Sequence, residues 1–307
     1  MSPSERLPGG GQTGYRAANR CGEFTMNQTI FLLLGVLGLV GIGAAVSSND
    51  DDHPPEREEE DPRLDPETVI RDDDDDHVLT GTTGDDGIVG DDDDETLNGL
   101  AGDDVVAGGF GEDTVIADPG NDEIYLGGGD DLYGVHEEGT NQGNDSIYGG
   151  FGEDTIITNL GEHSIMGGDG DDRIEDYGGS VYVEGEEGDD LILSPDASDP
   201  DAADTLLGGE GRDTIHAGAG DVVDAGSGAD SIVLRSDSGG AADITLGGAD
   251  SITITLAEDY DGDEDYELVQ DGEDVRLVLN GEDIAILRDT LVADVTSVSV
   301  IRESVAG

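Results

Sequence analysis

The sequence predicts an all-β chain. Its middle is a parallel β coil wound from nine-residue repeats, with a small antiparallel β cap after it and a hydrophobic helix and disordered acidic linker before it. Three observations carry this. The phrase Gly149-Gly150-Phe151-Gly152-Glu153-Asp154-Thr155-Ile156-Ile157 recurs at Gly108–Ile116, Gly167–Glu175, Gly185–Leu193 and Gly208–His216. It reads as a glycine-rich turn, an acid at position six and an aliphatic residue at position eight. Across sixteen such units position eight holds fifteen aliphatic residues and one tyrosine, Tyr133. Finally, 4% aromatic residues and no Trp cannot fill a conventional core, yet 51 regularly placed glycines argue against a disordered middle.

Charge narrows the partners. Against 76 acidic side chains stand 12 basic ones, a formal net charge of -64. Phosphates would be repelled, so nucleic acid is excluded as a partner; cations, disorder or a high-salt habitat remain. The single cysteine, Cys21, excludes an intramolecular disulfide.

Residues 1–28 are polar, with Arg6, Arg16 and Arg20, and Met26 serves equally well as a start. Within 29–46, Ile30–Val46 is an uncharged run of 17 residues. As a helix it spans about 26 Å, short for a membrane anchor and suitable for a signal-peptide core, so both readings stand. Arginines before it and acids after it place the remainder outside the cytoplasm. Residues 47–78, with Pro54, Pro55, Pro62, Pro66 and the run Asp72–Asp76, read as a solvated linker.

The first block, 79–134, holds units starting at Gly81, Gly90, Gly99, Gly108, Ala117 and Leu126. After an insertion at 135–139, the second block (140–193) starts units at Thr140, Gly149, Thr158, Gly167, Asp176 and Gly185. A second insertion, 194–198, precedes a looser third block, 199–255, with units at Asp199, Gly208, Ala217 and Ala225 and a decaying pattern past residue 234. In the tail, 256–307, the runs Tyr266–Gln270, Val275–Leu279, Ile284–Leu287 and Leu291–Ile301 predict strands, with a type I′ hairpin at Asn280-Gly281. This unit caps the open end of the stack.

Nine residues with one inward aliphatic suit a six-residue turn and a three-residue strand. Glycine at positions one, two and four permits positive φ. Two units make one winding, so turns stack in two columns and acids eighteen residues apart become neighbours. Ordering a residue costs on the order of 1–2 kcal/mol, and one buried aliphatic returns roughly 1.5–3 kcal/mol per nine. The stacked acids repel as well, so a hard divalent cation between turns is expected. Carboxylate and carbonyl oxygens favour Ca²⁺ over Mg²⁺, which demands a stricter octahedron.

Over about residues 81–233 the chain resembles the repeats-in-toxin (RTX, haemolysin-type) family, whose consensus is G-G-x-G-x-D-x-U-x. The resemblance implies a parallel β-roll with several calcium ions held between turns by the unit aspartates and turn carbonyls. Carried over by position, these are Asp86, Asp104, Asp113, Asp122, Asp131, Asp145, Asp154, Asp172, Asp190, Asp204, Asp213, Asp221 and Asp230, with Glu95 in a degenerate unit. One column of the second block is intact through Asp154, Asp172 and Asp190, whereas the other reads Asp145, His163, Val181. Metal is therefore expected on both edges of the first block and mainly one edge of the second.

Neither H-E-x-x-H nor G-x-S-x-G occurs, so no enzyme is expected. The five histidines read as exposed turn or linker residues. Asp259–Asp265 departs from an EF-hand loop in its glycine position and its twelfth residue. Tyr133, Tyr148, Tyr177 and Tyr182 read as packing residues. The expectation is a non-enzymatic calcium-binding protein, exported or surface-displayed, that folds as it binds calcium outside the cytoplasm. An adhesin or surface-layer component using the roll as a spacer is the alternative; any protein partner is unidentified.

Overall fold

Position eight builds the core, because a strand so short has one inward side chain and the repeat makes it aliphatic every time. The computed structural model describes residues 69–71, 77–116, 118–134, 143–194, 203–237, 239–247, 249–258 and 260–302. Among these there is no helix, and the strands form a thirteen-stranded and an eleven-stranded sheet. Up to Ser251–Leu256 successive strands alternate between the two sheets, so two units make one winding, as the repeat requires. Parallel pairing sets Ile88 beside Val106 and Ile156 beside Ile174, eighteen residues on. Across the insertions the offset becomes 23 (Ile124 to Ile147, Val183 to Leu206), and in the third block 17 (Ile215 to Ile232). Every position-eight residue is at most 2% exposed, and one continuous cluster runs from Leu79 to Leu287.

Four details differ from the sequence reading. Val69–Arg71, inside the stretch read as linker, is a strand paired with Gly87–Val89, and Val78–Thr80 is another. An apolar pair eighteen residues ahead of Gly87–Val89 suffices to start the first sheet. The strands of the first sheet also run on through one column of turns, reaching nine residues at Gly161–Asp169 and Gly179–Glu187. Stacked glycine turns still align carbonyl and N–H groups, as Gly168 against Gly150 shows. The third difference is regularity: past 234 the repeat pattern decays, yet parallel pairing continues through Ala242–Thr245 and Ser251–Leu256, to the end of the block read as 199–255. Finally, Val298–Arg302 pairs in parallel with Ser251–Leu256 instead of joining the antiparallel unit.

The remaining tail strands are antiparallel as expected: Tyr266–Asp271, Asp274–Leu279 and Glu282–Leu287, the last extending the first sheet beside Ala242–Thr245. Asn280 and Gly281 both have positive φ, 51° and 86°, as a type I′ turn needs. Tyr133 is fully buried and Tyr148 stacks on Tyr125 at 4.9 Å, whereas Tyr177 and Tyr182 remain partly exposed. The segments 1–28 and 29–46, including Ile30–Val46, lie outside the described residues. Among the described residues no helix is long and apolar enough to cross a membrane.

Because each core residue touches mainly its stacked neighbours, a cavity in one turn is not relieved elsewhere. Replacing Ile156 by Ala should cost about 2–5 kcal/mol of stability. Replacing half-buried Thr155 by Ala should cost less than about 1 kcal/mol. Denaturant unfolding measures both.

Candidate metal centre

Each turn ends at position six, where the chain drops inward to begin a strand. There the backbone N–H meets the side chain of the next winding. On one edge, Glu95, Asp113, Asp131, Asp154, Asp172, Asp190 and Asp213 each donate their backbone N–H to the carboxylate of the next, ending on Asp230. The distances run from 2.7 to 3.0 Å. Asp230 in turn donates to Asp250 at 3.1 Å, a column member that the sequence reading missed. Gly247 and Asp250 echo the repeat, but their turn is twenty residues on and out of register.

This ladder consumes one oxygen of each aspartate, and the Asp91 N–H takes one oxygen of Glu95 at 3.3 Å. The other is left over: Glu95 Oε1 and the Oδ2 atoms of Asp113, Asp131, Asp154, Asp172, Asp190, Asp213 and Asp230 are buried without a partner. Among the described residues only Asn98 and Asp243 add further such atoms. A buried, unpartnered carboxylate oxygen is costly, and repeating it on one edge of the molecule demands a counter-group.

The opposite edge holds Asp86, Asp104, Asp122, Asp145, Asp204 and Asp221 and is built differently. Asp86, Asp104 and Asp122 donate up the column at 2.8–3.0 Å, and Asp145 donates to His163 Nδ1 at 3.2 Å. Val181 has no acceptor, so the ladder breaks there and resumes with Val181 and Asp204 donating to Asp204 and Asp221. Here four of the six acids meet a protein donor at the second oxygen: Thr82 on Asp86, Tyr133 on Asp145, Ser194 on Asp204 and the Gly218 N–H on Asp221. All fourteen residues expected as metal sites are thus buried in two columns, but the unpartnered oxygens gather on one. In the first block the separation is incomplete: Asp86 meets Thr82, while Gly99 leaves beside Asp104 Oδ2 the kind of space that Gly149 leaves beside Asp154. His163, read as exposed, is 4% exposed and a column member.

The turns of the open edge are shaped by their glycines. Gly150 and Gly152 have φ of 115° and 132°, as positions two and four require. Position one has no such φ and is glycine for another reason. A Cβ on Gly149 would collide with Asp154 Oδ2 of its own turn and the Gly167 carbonyl of the next. Gly108, Gly185 and Gly208 face the same pair of atoms in their turns. The unpartnered oxygen and a carbonyl therefore converge on the space a side chain would fill. No three acidic, histidine or cysteine side chains converge on one point among the described residues. Each cradle offers carboxylate and backbone oxygens only, a donor set that fits a hard cation such as Ca²⁺ and not a soft one.

Burial and neighbouring charge act together on these carboxylates. Desolvation, then the Asp154 and Asp190 charges, pushes Asp172 up to about 8. Desolvation likewise raises Glu95 to about 8, Asp131 and Asp190 to about 7, and Asp154 and Asp230 to about 6. In an unfolded chain such groups titrate near 4, so between about pH 4 and 8 the folded chain binds more protons. Without a cation the roll is held best below about pH 4 and loses that stability as pH rises through 6–8. In chelator, the far-UV circular dichroism strand signal should be stronger at pH 5 than at pH 8. In saturating calcium the difference should shrink.

No curated protein matches the chain. Among solved structures, the extracellular lipase LipA from Serratia marcescens is similar at 14% identity with a TM-score of 0.17, a likeness too loose to bear on fold or activity. The match covers 75% of this chain and 42% of that one, so the chain spans less than half of that structure's length. The family model for the RTX calcium-binding nonapeptide repeat (4 copies) matches residues 73–106, 98–133, 140–162, 166–194 and 201–232. These segments are the windings that carry the two acidic columns, and the chain belongs to the RTX calcium-binding nonapeptide-repeat family.

Proposed function

We propose that this chain is a non-enzymatic calcium-folded β-roll, exported or displayed at the cell surface, that remains expanded where calcium is scarce and winds up where it is abundant. The file of unpartnered oxygens from Glu95 to Asp230 carries the reading. Asp113, Asp131, Asp154, Asp172, Asp190, Asp213 and Asp230, with Glu95 at the degenerate end, are the residues proposed to hold the ions, together with position-one carbonyls. Ca²⁺ bound there would neutralise the buried carboxylates and give each spare oxygen a partner. Folding and binding are then one equilibrium: each site filled to a hundred times its Kd contributes about 2.7 kcal/mol to the folded state. A location outside the cytoplasm fits such a switch, because millimolar-range calcium would load even weak sites. Use of the roll as a stiff spacer in an adhesin or surface layer is the alternative role for the same folded array.

A calcium titration of the chain, followed by circular dichroism and calorimetry, tests the reading. Strand signal should grow with calcium; a signal equally strong in chelator and unchanged by calcium would overturn it. Asp172→Asn sharpens the test, since the amide keeps the ladder acceptor while removing the charge. At pH 8 it should raise the chelator-state strand signal and lower the number of calcium ions bound.

A further inference from the structure

The edge opposite the proposed ions changes character between Thr158 and Asp204. On the open edge of this block, position one is glycine at Gly149, Gly167 and Gly185 and leaves a cradle. On this edge the residues at position one are Thr158, Asp176 and, nine residues after Gly185, Ser194. Thr158 Oγ1 donates to Asp176 Oδ1 at 2.7 Å, and the Gly178 N–H donates to Asp176 Oδ2 at 3.1 Å. Ser194 Oγ donates to Asp204 Oδ2, while Asp204 Oδ1 accepts the Val181 N–H at 2.8 Å. All four side chains, Thr158, Asp176, Ser194 and Asp204, are at most 3% exposed. Hydroxyls and N–H groups here stand where the other edge has bare oxygens.

His163 completes the pattern. The Asp145 backbone N–H can only donate, so Nδ1 accepts it, as a position-six Oδ1 does elsewhere. In that tautomer Nε2–H lies 3.2 Å from the Asn159 carbonyl of its own turn and donates to it. One imidazole thus stands in the place of the ladder carboxylate, 3.3 Å from Asp145 Oδ2, and also meets a turn carbonyl. On the open edge those two tasks fall to a carboxylate and, on the reading above, a cation. Val181 removes the next carboxylate altogether, and with it the need for a counter-charge.

From this we infer that the second block carries a metal-independent clasp: the edge from Asp145 through His163 and Asp176 to Asp204 is closed by side chains, takes no calcium, and keeps these windings in register when calcium is absent. The inference rests on the proposed calcium reading for its contrast between edges, but the clasp itself needs no ion. Its consequence is an order of assembly. The second block supplies the registered windings on which the cradles of Asp154, Asp172 and Asp190 stand, and the array loads outward from there.

Hydrogen exchange of the full chain in chelator tests the clasp without calcium. The Asp145 and Val181 amides, bonded to His163 and Asp204, should exchange at least about tenfold more slowly than the Glu95 and Asp113 amides, which make the same bond on the open edge. His163→Ala should abolish that difference at Asp145. Thr158→Val, which keeps volume but removes the hydroxyl, should weaken protection around Asp176. Equal exchange on both edges, or protection indifferent to both variants, overturns the clasp. A second measurement is calcium stoichiometry by equilibrium dialysis. His163→Ala should leave the number of bound ions unchanged, and a loss of ions would place His163 in a metal site and overturn the inference. The calcium reading stands or falls separately, on the strand signal of the unaltered chain during titration.

Discussion

The bond from each position-six N–H to the next position-six side chain is the constraint on which the rest of the molecule depends. It fixes the stacking of turns, because the donor and acceptor belong to successive windings. It also forces carboxylates into a buried file, since only a short acceptor at that position can reach the N–H above it. Asp154 to Asp172 and Asp172 to Asp190 show the result: good geometry at 2.8 and 2.9 Å, with unfavourable charge. A conventional domain avoids such a file by burying apolar groups instead. Here one aliphatic per nine residues leaves no alternative source of order, so the fold and its electrostatic difficulty have one cause.

The net charge of the chain is a separate matter. Most of the 76 acids lie outside the two columns, among exposed turn residues such as Asp85, Asp94 and Asp103. Exposed like charges are screened by salt within about 8–10 Å and cost little individually. The columns are different because water is excluded from them, and that is where raised carboxyl pKa values gather.

Much of this was legible in the sequence because the repeat is short and its chemistry is strict. Ile156 and its equivalents announce the inward face, and the spacing from Asp154 to Asp172 announces the stacking partner. The unequal edges of the second block were visible in His163 and Val181. What the spacing could not show is which acids already have donors. Thr82, Tyr133 and Ser194 reach the Asp86 edge from positions two, eight and one, where the consensus has glycine or an aliphatic residue, so the period does not mark them as donors. Val69–Arg71 was lost in an acidic stretch because a three-residue strand has too little pattern to stand alone. Asp250 was lost because the winding before it is two residues longer than the period, which breaks the count without breaking the ladder.

Within the second block, position one decides which solution an edge adopts. With glycine there, as at Gly149, the absent Cβ leaves a space lined by a carboxylate oxygen and the next turn's carbonyl, and the turn depends on something arriving from solvent. With Thr158, Asp176 or Ser194 there, the side chain enters that space and provides a hydrogen-bonding partner of its own. The two arrangements share the same backbone stacking, since the offset between windings is eighteen on both edges of the second block. A winding can therefore pass from ion-dependent to self-sufficient by changing positions one and six, with no change of fold. The decay of the consensus on one edge is then more than loss of function. At His163 and Val181 it takes a carboxylate out of the column, and on the proposed reading the second block then holds its register on one side and is switched by the cation on the other.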